Sequence, residues 1–137
     1  MIDEQFRATW LPRLLSVVRI MTGLLFLQHG LTKYIGFPAP TPATFHVASL
    51  SGLAGAIEIV AGILIVIGLF SRVTAFIASG EMAFAYFISH APRGFFPQAN
   101  GGELAILYCF IFLYIALAGG GSWGVDAMRA KAQSTGP

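Results

Sequence analysis

The sequence predicts an all-α integral membrane protein, a bundle of four transmembrane helices with both termini in the cytoplasm. Of its 137 residues, 56% are hydrophobic and 10% are charged, and its mean hydropathy is +0.76. An average soluble domain is about 25% charged, so this composition is typical of a protein that lies in lipid. The length accommodates about four spans of roughly 20 residues each. We therefore interpret residues 1–137 as a single membrane domain.

Proline and glycine divide the apolar sequence into four predicted helices. Pro12 suits the first turn of helix 1, and the proline-rich segment 36–42 ends that helix. No small-residue cleavage pattern follows the first apolar run, so we expect a retained span rather than a cleaved signal. Three glycines at 119–121 end helix 4. The predicted helices cover about residues 12–35, 49–70, 73–90 and 103–118, and a polar tail covers 122–137.

Basic residues near the ends of the spans predict the orientation. On the side of the termini lie Arg7, Arg13, Arg72, Arg129 and Lys131. The opposite side has Lys33 and Arg93. Because cytoplasmic loops carry the excess of Lys and Arg, we expect a multi-pass protein of the bacterial inner (plasma) membrane with both termini inside.

Two carboxylates are predicted deep in the helices. At about 1.5 Å per residue, Glu58 lies about 3 Å from the centre of helix 2, and Glu81 lies at the centre of helix 3. An acidic residue there costs about 2.5 to 3.5 kcal/mol on insertion scales, so it is expected to face the bundle interior and to mark a function. Small residues, which mark closely packed helix surfaces, share the face of Glu58: Ser51, Ala54, Gly55, Ala61 and Gly62.

Other ionisable residues are predicted to form a polar cluster with Glu58. Arg19, His29 and Lys33 project within an arc of about 80° on helix 1, and either Lys33 or Arg19 is the expected partner of Glu58. We predict an interior cluster, reachable from outside, of His29, Lys33, Glu58 and Glu103. Deeper or lower in the bundle are Arg19 and Glu81.

His90 is a further candidate at the outer end of helix 3. By α-helical geometry it projects almost opposite Glu81, so we do not expect those two residues in one relay. The candidates for ligand binding or proton handling are His29, Lys33, Glu58, Glu103, Arg19, Glu81 and His90. The alternative interpretation is that these charges are structural ion pairs that determine which helices dock together.

Several kinds of site find no support in the residues. Cys109 is the single cysteine, so an intramolecular disulfide or a Cys-x-x-Cys redox pair is excluded. The histidines lack the spacing of metal ligands, and we predict no metal site. The basic residues are scattered, so a nucleic acid is not an expected partner.

Five segments together resemble the DoxX family of small bacterial membrane proteins, over about residues 13–126. They are RIMTGLLFLQHGLTK at 19–33, EIVAGILIVIGLFSR at 58–72, HAPRGFF at 90–96, GGE at 101–103 and GGGSWGVD at 119–126. The resemblance implies a four-helix membrane bundle. It places the polar positions of the family at Arg19, His29, Lys33, Glu58, His90, Glu103 and Asp126.

The resemblance also implies a function. Relatives look like the membrane subunit of thiosulfate:quinone oxidoreductase, and others are linked to membrane oxidoreductase complexes that handle sulfur or oxidative stress. We therefore expect a membrane redox component whose pocket binds a quinone or similar lipophilic small molecule, with His29 and Glu58 as hydrogen-bond and proton partners. A partner protein would supply electrons or sulfur, and the chain itself would hold no other cofactor. Aromatic residues that suit a flat ring are Phe26, Phe84, Tyr86 and Tyr108.

Two non-enzymatic functions fit the same residues. One is a carrier or receptor for a lipophilic or acidic small molecule, because an outward-opening ionisable cavity serves either task. The other is a structural membrane adaptor, in which Glu58 contributes to assembly and not to ligand binding. The small-residue face of helix 2 is compatible with packing within one protomer or in a homo-oligomer.

Overall fold

The computed structural model describes residues 3–135, and within them the chain forms six α-helices and no β-strand. The helices are α1 (Glu4–Ile35), α2 (Leu50–Ile67), α3 (Ser71–Ala85), α4 (Pro97–Asn100), α5 (Glu103–Ala118) and α6 (Val125–Ser134). A π-helical turn at Tyr86–His90 and a 3-10 turn at Ala91–Arg93 continue α3. The predicted all-helical class is therefore confirmed.

Helix ends differ from the predicted ones where local caps determine them. α1 begins at Glu4 because the side chain of Asp3 accepts a hydrogen bond from the amide of Gln5, which is an N-cap. Pro12 therefore lies inside the helix rather than in its first turn. α2 ends at Ile67, earlier than predicted, because Gly68 adopts a left-handed conformation with φ of 70°, which is common just after a helix.

The helices pack as two pairs around a small apolar core. α1 lies along α2, and α3 lies along α5. Between the pairs, Phe26 and Phe112 are fully buried, and their rings meet edge to face at a centroid distance of 4.8 Å. Ile65 and Ile115 are also fully buried beside them. This core occupies the middle of the bundle and separates its two ends.

Glycines allow α1 and α2 to approach closely. A Cβ on Gly62 would lie 2.8 Å from the Cβ of Leu27, and a Cβ on Gly30 would lie 2.7 Å from the carbonyl oxygen of Gly55. Both distances are too short for a real side chain, so the helix backbones meet where glycine is present. Glu58 lies on this face of α2 and is 4% exposed, pointing into the bundle as its small neighbours predict.

The outer surface of the bundle is apolar. Exposed large apolar side chains on the four long helices include Leu24, Leu25, Val60, Ile63, Phe76, Ile77, Phe84, Leu107, Phe110 and Leu117. A soluble monomer rarely exposes so much contiguous apolar surface. Among the described residues, α1 and α2 are long and apolar enough to cross a membrane, and α5 is a shorter apolar helix.

At the end of the bundle that contains α6, Arg19 binds backbone carbonyls. It is 1% exposed and donates to Ile65 and Val66 at the end of α2, and to Gly120 and Trp123 after α5. The last carbonyls of a helix have no partner within it, and a cation there interacts favourably with the helix dipole. Arg19 thus joins three parts of the chain at one point.

Asp126 and Arg72 cap two further helix ends nearby. Asp126 Oδ1 accepts from the amide of Phe70 at 2.9 Å, and Oδ2 accepts from the amide of Ser71 at 2.8 Å, so Asp126 is a remote N-cap for α3. Burial raises the pKa of Asp126, but the hydrogen bonds from Ser71 and Phe70 outweigh it and hold the pKa below its ordinary 3.8. Arg72 donates to the carbonyl of Ala116, 3.2 Å away, near the end of α5.

We predict that Gly62→Ala destabilises the protein. Its Cβ would lie 2.8 Å from Leu27, and overpacking of this kind costs about 1 to 3 kcal/mol. The matched control is Gly80→Ala, because nothing lies within 4 Å of a Cβ at that position and alanine favours the helix. Thermal unfolding in detergent should show a lower Tm for Gly62→Ala only. Equal Tm values for both variants would contradict the close packing.

We predict that Asp126→Ala lowers stability by about 1 kcal/mol at neutral pH, as the loss of an N-cap does. Because the folded pKa of Asp126 is depressed, its contribution is present above the ordinary pKa of 3.8 and is lost as the pH falls through the lower folded value. Denaturant unfolding from pH 7 down to pH 3 checks this. The difference between wild type and variant should shrink below pH 4, and a difference that grows there would refute the capping role.

Candidate functional site

A cavity of about 500 Å³ lies at the end of the bundle opposite α6. The second half of α1, the first half of α2, the end of α3 with its π-helical turn, and the start of α5 enclose it. This volume lies within the roughly 300 to 1,000 Å³ typical of small-molecule sites. Its lining residues that carry polar side-chain atoms are His29, Lys33, Ser51, Glu58, Glu81, Ser89, His90 and Tyr108.

Lys33 and Glu58 form an ion pair across the α1–α2 interface. Lys33 Nζ lies 2.7 Å from both Glu58 oxygens, and the side chains are 22% and 5% exposed. Lys33, and not Arg19, is therefore the partner of Glu58. A buried ion pair is weak evidence for stability, because desolvation offsets much of its attraction. Its position in the wall of a cavity makes it available to a ligand.

Glu81 lines the same cavity from α3. Its Oε2 atom is buried and receives no hydrogen bond from any group in residues 3–135. Buried polar groups in folded proteins are nearly always paired. Glu81 therefore contributes an acid to the cavity lining, although this oxygen itself has almost no accessible surface.

His90 lies in the same cavity as Glu81, and the helical-wheel expectation that separated them is wrong. The cause is the π-helical turn Tyr86–His90. One additional residue in a helical turn rotates everything beyond it by about 100°, which brings His90 round to the side of Glu81. Turns of this kind occur frequently at functional sites.

Asn100 holds the connection before α5 against His90, and the sequence reasoning missed it. It is 2% exposed. Its Nδ2 donates to the carbonyl of Gly94 at 2.8 Å, and its Oδ1 accepts from the amide of Gly102 at 2.8 Å. The carbonyl of Asn100 lies 3.2 Å from His90 Nδ1. An asparagine before two glycines indicates a turn, but it does not reveal which side chain that turn positions.

The apolar wall of the cavity includes two of the four aromatic residues that suit a flat ring. Phe26 and Tyr108 line it, and the ring of His29 meets Tyr108 edge to face at 5.8 Å. Phe84 is 71% exposed on the outer surface, and Tyr86 lies outside the lining. Of the four aromatic residues, Phe26 and Tyr108 therefore lie at the cavity as expected, and Phe84 and Tyr86 do not.

Glu103 and Arg19 do not belong to the cavity. Glu103 is exposed in the first turn of α5, where a carboxylate suits the helix dipole, so the predicted cluster with Glu103 is wrong. Arg19 lies at the opposite end of the bundle among backbone carbonyls. The residues that the fold does bring together are His29, Lys33, Glu58, Glu81 and His90.

The lining suits an organic ligand better than a metal ion. In the part of the chain that the structure describes, no three His, Cys, Asp or Glu side chains form a set that could hold a metal. The cavity instead combines apolar walls with hydrogen-bonding groups that converge, which is the usual composition of a small-molecule site.

Comparisons with known proteins agree with a membrane protein. The family model DoxX matches residues 14–91, which include most of α1 and all of α2 and α3. An uncharacterized protein of Haemophilus influenzae is 46% identical over 120 residues, which cover 84% of this chain and 90% of that protein. An uncharacterized membrane protein of Mycobacterium tuberculosis is 26% identical over 143 residues, covering 88% of this chain and 83% of that protein. No solved structure matches the chain.

Proposed function

This chain belongs to the DoxX family of membrane proteins, and we propose that it is an inner-membrane redox component that binds a lipophilic small molecule, with a quinone as the first candidate. The observation that carries the proposal is the cavity of about 500 Å³, in which Lys33, Glu58, Glu81 and two histidines converge beside an apolar wall. Ionisable groups in a membrane bundle are costly and usually functional.

The proposed topology has four spans. α1 and α2 are long and apolar enough to cross. α3 and its continuation form a helical rod over residues 71–93, which at about 1.5 Å per residue exceeds the roughly 30 Å of a hydrocarbon core. α5 has 16 residues and spans about 24 Å. Because α5 packs along α3 and exposes apolar side chains, we assign it as the fourth span.

Both termini are proposed to be cytoplasmic. The amide of Ser122 donates to the carbonyl of Pro12, and the amide of Asp126 donates to the carbonyl of Gly68. These bonds tie the start of the chain, the α2–α3 turn and α6 to the same end of the bundle. That end also carries the larger number of Lys and Arg residues near span ends, which favours the cytoplasmic side. The cavity then opens toward the outer side.

A quinone head group matches the lining. The ammonium of Lys33 and the imidazoles of His29 and His90 can donate hydrogen bonds to ring oxygens, and Phe26 and Tyr108 offer apolar faces to the ring. Electrons would come from a partner protein, because Cys109 is the single cysteine of the chain and cannot form a dithiol relay on its own.

One feature favours a binding site over a carrier. A carrier must open alternately to both sides of the membrane, whereas the Arg19 cluster and the fully buried Phe112 and Ile65 fill the bundle beneath the cavity. Opening that end would break the hydrogen bonds of a nearly fully buried guanidinium, which is strongly unfavourable.

We predict that a short-tailed benzoquinone binds the purified protein in lipid nanodiscs, and that Glu58→Gln and His29→Ala each weaken binding by about tenfold. His29→Ala removes an imidazole from the lining, and Glu58→Gln removes the carboxylate that holds the Lys33 ammonium in place; a hydrogen bond is worth about 1 kcal/mol or more. Isothermal titration measures the Kd. His46→Ala is the control, because His46 is exposed and outside the lining. Unchanged Kd values in both cavity variants would remove the cavity from the function.

We predict that residues 36–49 lie on the outer side of the inner membrane and that α6 lies on its cytoplasmic side. In a Cys109→Ser background, Ala43→Cys and Ala132→Cys each introduce one thiol at an exposed position. A membrane-impermeant maleimide should label Ala43→Cys in cells with a permeable outer barrier and an intact inner membrane. It should label Ala132→Cys only after lysis. The reverse labelling pattern would show that the topology is inverted. Labelling of both thiols in intact cells would show that the two segments lie on the same side, which contradicts the proposed topology.

A further inference from the structure

A second concavity, of about 320 Å³, lies between α2 and α3, and we call it the α2–α3 groove. α2 contributes residues within 56–64, and α3 contributes Thr74 and Ile77. Except for Thr74, which is buried, these side chains are aliphatic. Val60 and Ile77 in the lining are also exposed on the apolar outer surface. The groove is therefore open on the side that faces lipid.

One face of α2 runs from the cavity into this groove. Residues three or four positions apart lie on the same face of a helix. Residues of α2 at this spacing are Leu50, Ala54, Ile57, Ala61 and Leu64. Leu50 and Ala54 line the cavity, and the other three line the groove.

One face of α3 connects the cavity to the groove in the same way. At the same spacing, Ala85 and Glu81 line the cavity, and Ile77 and Thr74 line the groove. Glu81 and Ile77 are about one helical turn apart, or about 6 Å along the axis. Because both helices pass directly from one lining to the other, the groove begins where the cavity ends.

The groove is too narrow for a helix of a second copy of the chain. The segment from Ile57 to Leu64 advances about 10 Å. Over that length, the volume gives a cross-section of about 32 Å² and a width of about 6 Å. An α-helix with its side chains is about 10 to 12 Å wide. An extended hydrocarbon chain fits, because non-bonded carbon atoms approach one another to about 4 Å.

Resting on the proposed function, we infer that the α2–α3 groove holds the apolar tail of the molecule whose head group binds in the cavity. The ligand is then an amphiphile, with its head among the polar side chains of the cavity and its tail between α2 and α3. An extended chain advances about 3.5 Å for every three bonds. A tail of about nine carbon atoms, or two isoprene units, therefore fills the groove.

The groove acts on the position of the tail more than on the affinity of the ligand. Lipid is as apolar as the groove, so moving a tail from lipid into the groove gains no hydrophobic free energy. The gain comes from packing contacts with the aliphatic lining, which are individually small. A measurement of where the tail lies is therefore the direct test.

Photolabelling of the full chain in lipid nanodiscs tests the position of the tail. The probe is a benzoquinone with a decyl tail that carries a diazirine near its end. We expect its adducts in segments 56–64 and 74–77 to exceed those on the exposed faces of α1 and α5 by about fivefold, which corresponds to about 1 kcal/mol. A phospholipid with a diazirine on one acyl chain is the control, and it should label these surfaces about equally.

A pair of Ala→Phe variants assigns the labelling to the groove. Ala56 lines the groove and is partly exposed, so a phenylalanine there occupies the space of the tail. The groove adducts should fall about tenfold in Ala56→Phe, which corresponds to about 1.4 kcal/mol. Ala83→Phe makes the same change on α3 outside both linings and should retain the adducts. The Kd of a benzoquinone without a tail should be unchanged in both variants.

The outcomes separate this inference from the proposed function. Quinone adducts spread evenly over the helices overturn the inference, and the proposed function stands if the tailless benzoquinone still binds. Preferential labelling of the groove by the phospholipid would assign it to bulk lipid and overturn the inference. Loss of the groove adducts when a nanodisc holds two copies of the chain would assign it to a second copy. Absence of both adducts and benzoquinone binding overturns the inference together with the proposed function. Photolabelling of the unmodified protein does not depend on the folding of a variant.

Discussion

A buried charge in an apolar bundle needs a partner, and this requirement organises the two ends of the protein. Arg19 satisfies it with backbone carbonyls at the end of α2 and beyond α5. Glu58 satisfies it with Lys33. Glu81 has an oxygen for which residues 3–135 supply no donor. Because unpaired groups of this kind are costly away from water, Arg19 and Lys33 join neighbouring helices through the partners that they bind.

Close packing of α1 on α2 brings these charged side chains within reach of their partners. Glycines at the interface let the backbones meet, so side chains on the two helices can reach each other without long connections. In lipid, where helix association has no hydrophobic driving force, such packing is a main source of stability. It brings Lys33 against Glu58 at one end of the interface and Arg19 against the carbonyl of Val66 at the other.

The cavity itself depends on an irregularity in α3. A regular α-helix would direct His90 away from Glu81, whereas the π-helical turn Tyr86–His90 rotates it back. Asn100 then fixes the connection that leads into α5 through hydrogen bonds with Gly94 and Gly102. Backbone that leaves regular helix loses hydrogen bonds within the helix, and the Asn100 side chain supplies two to this connection. The cavity is thus lined by regular α-helices and by one π-helical turn.

The helical class, the membrane composition and the inward direction of Glu58 could be predicted from the sequence, because hydropathy and the small-residue face are local properties that do not depend on the remaining helices. The sequence also identified His29 and Lys33 as neighbours on one face of α1. The pairing of Lys33 with Glu58, and the capping of helix ends by Arg19, could not be predicted, since both cations share that face and the partner of each depends on how α2 docks. The folded structure also shows that His90 lines the cavity and that Glu103 does not. The position of His90 could not be predicted, because one π-helical turn changes the direction of the side chains that follow it.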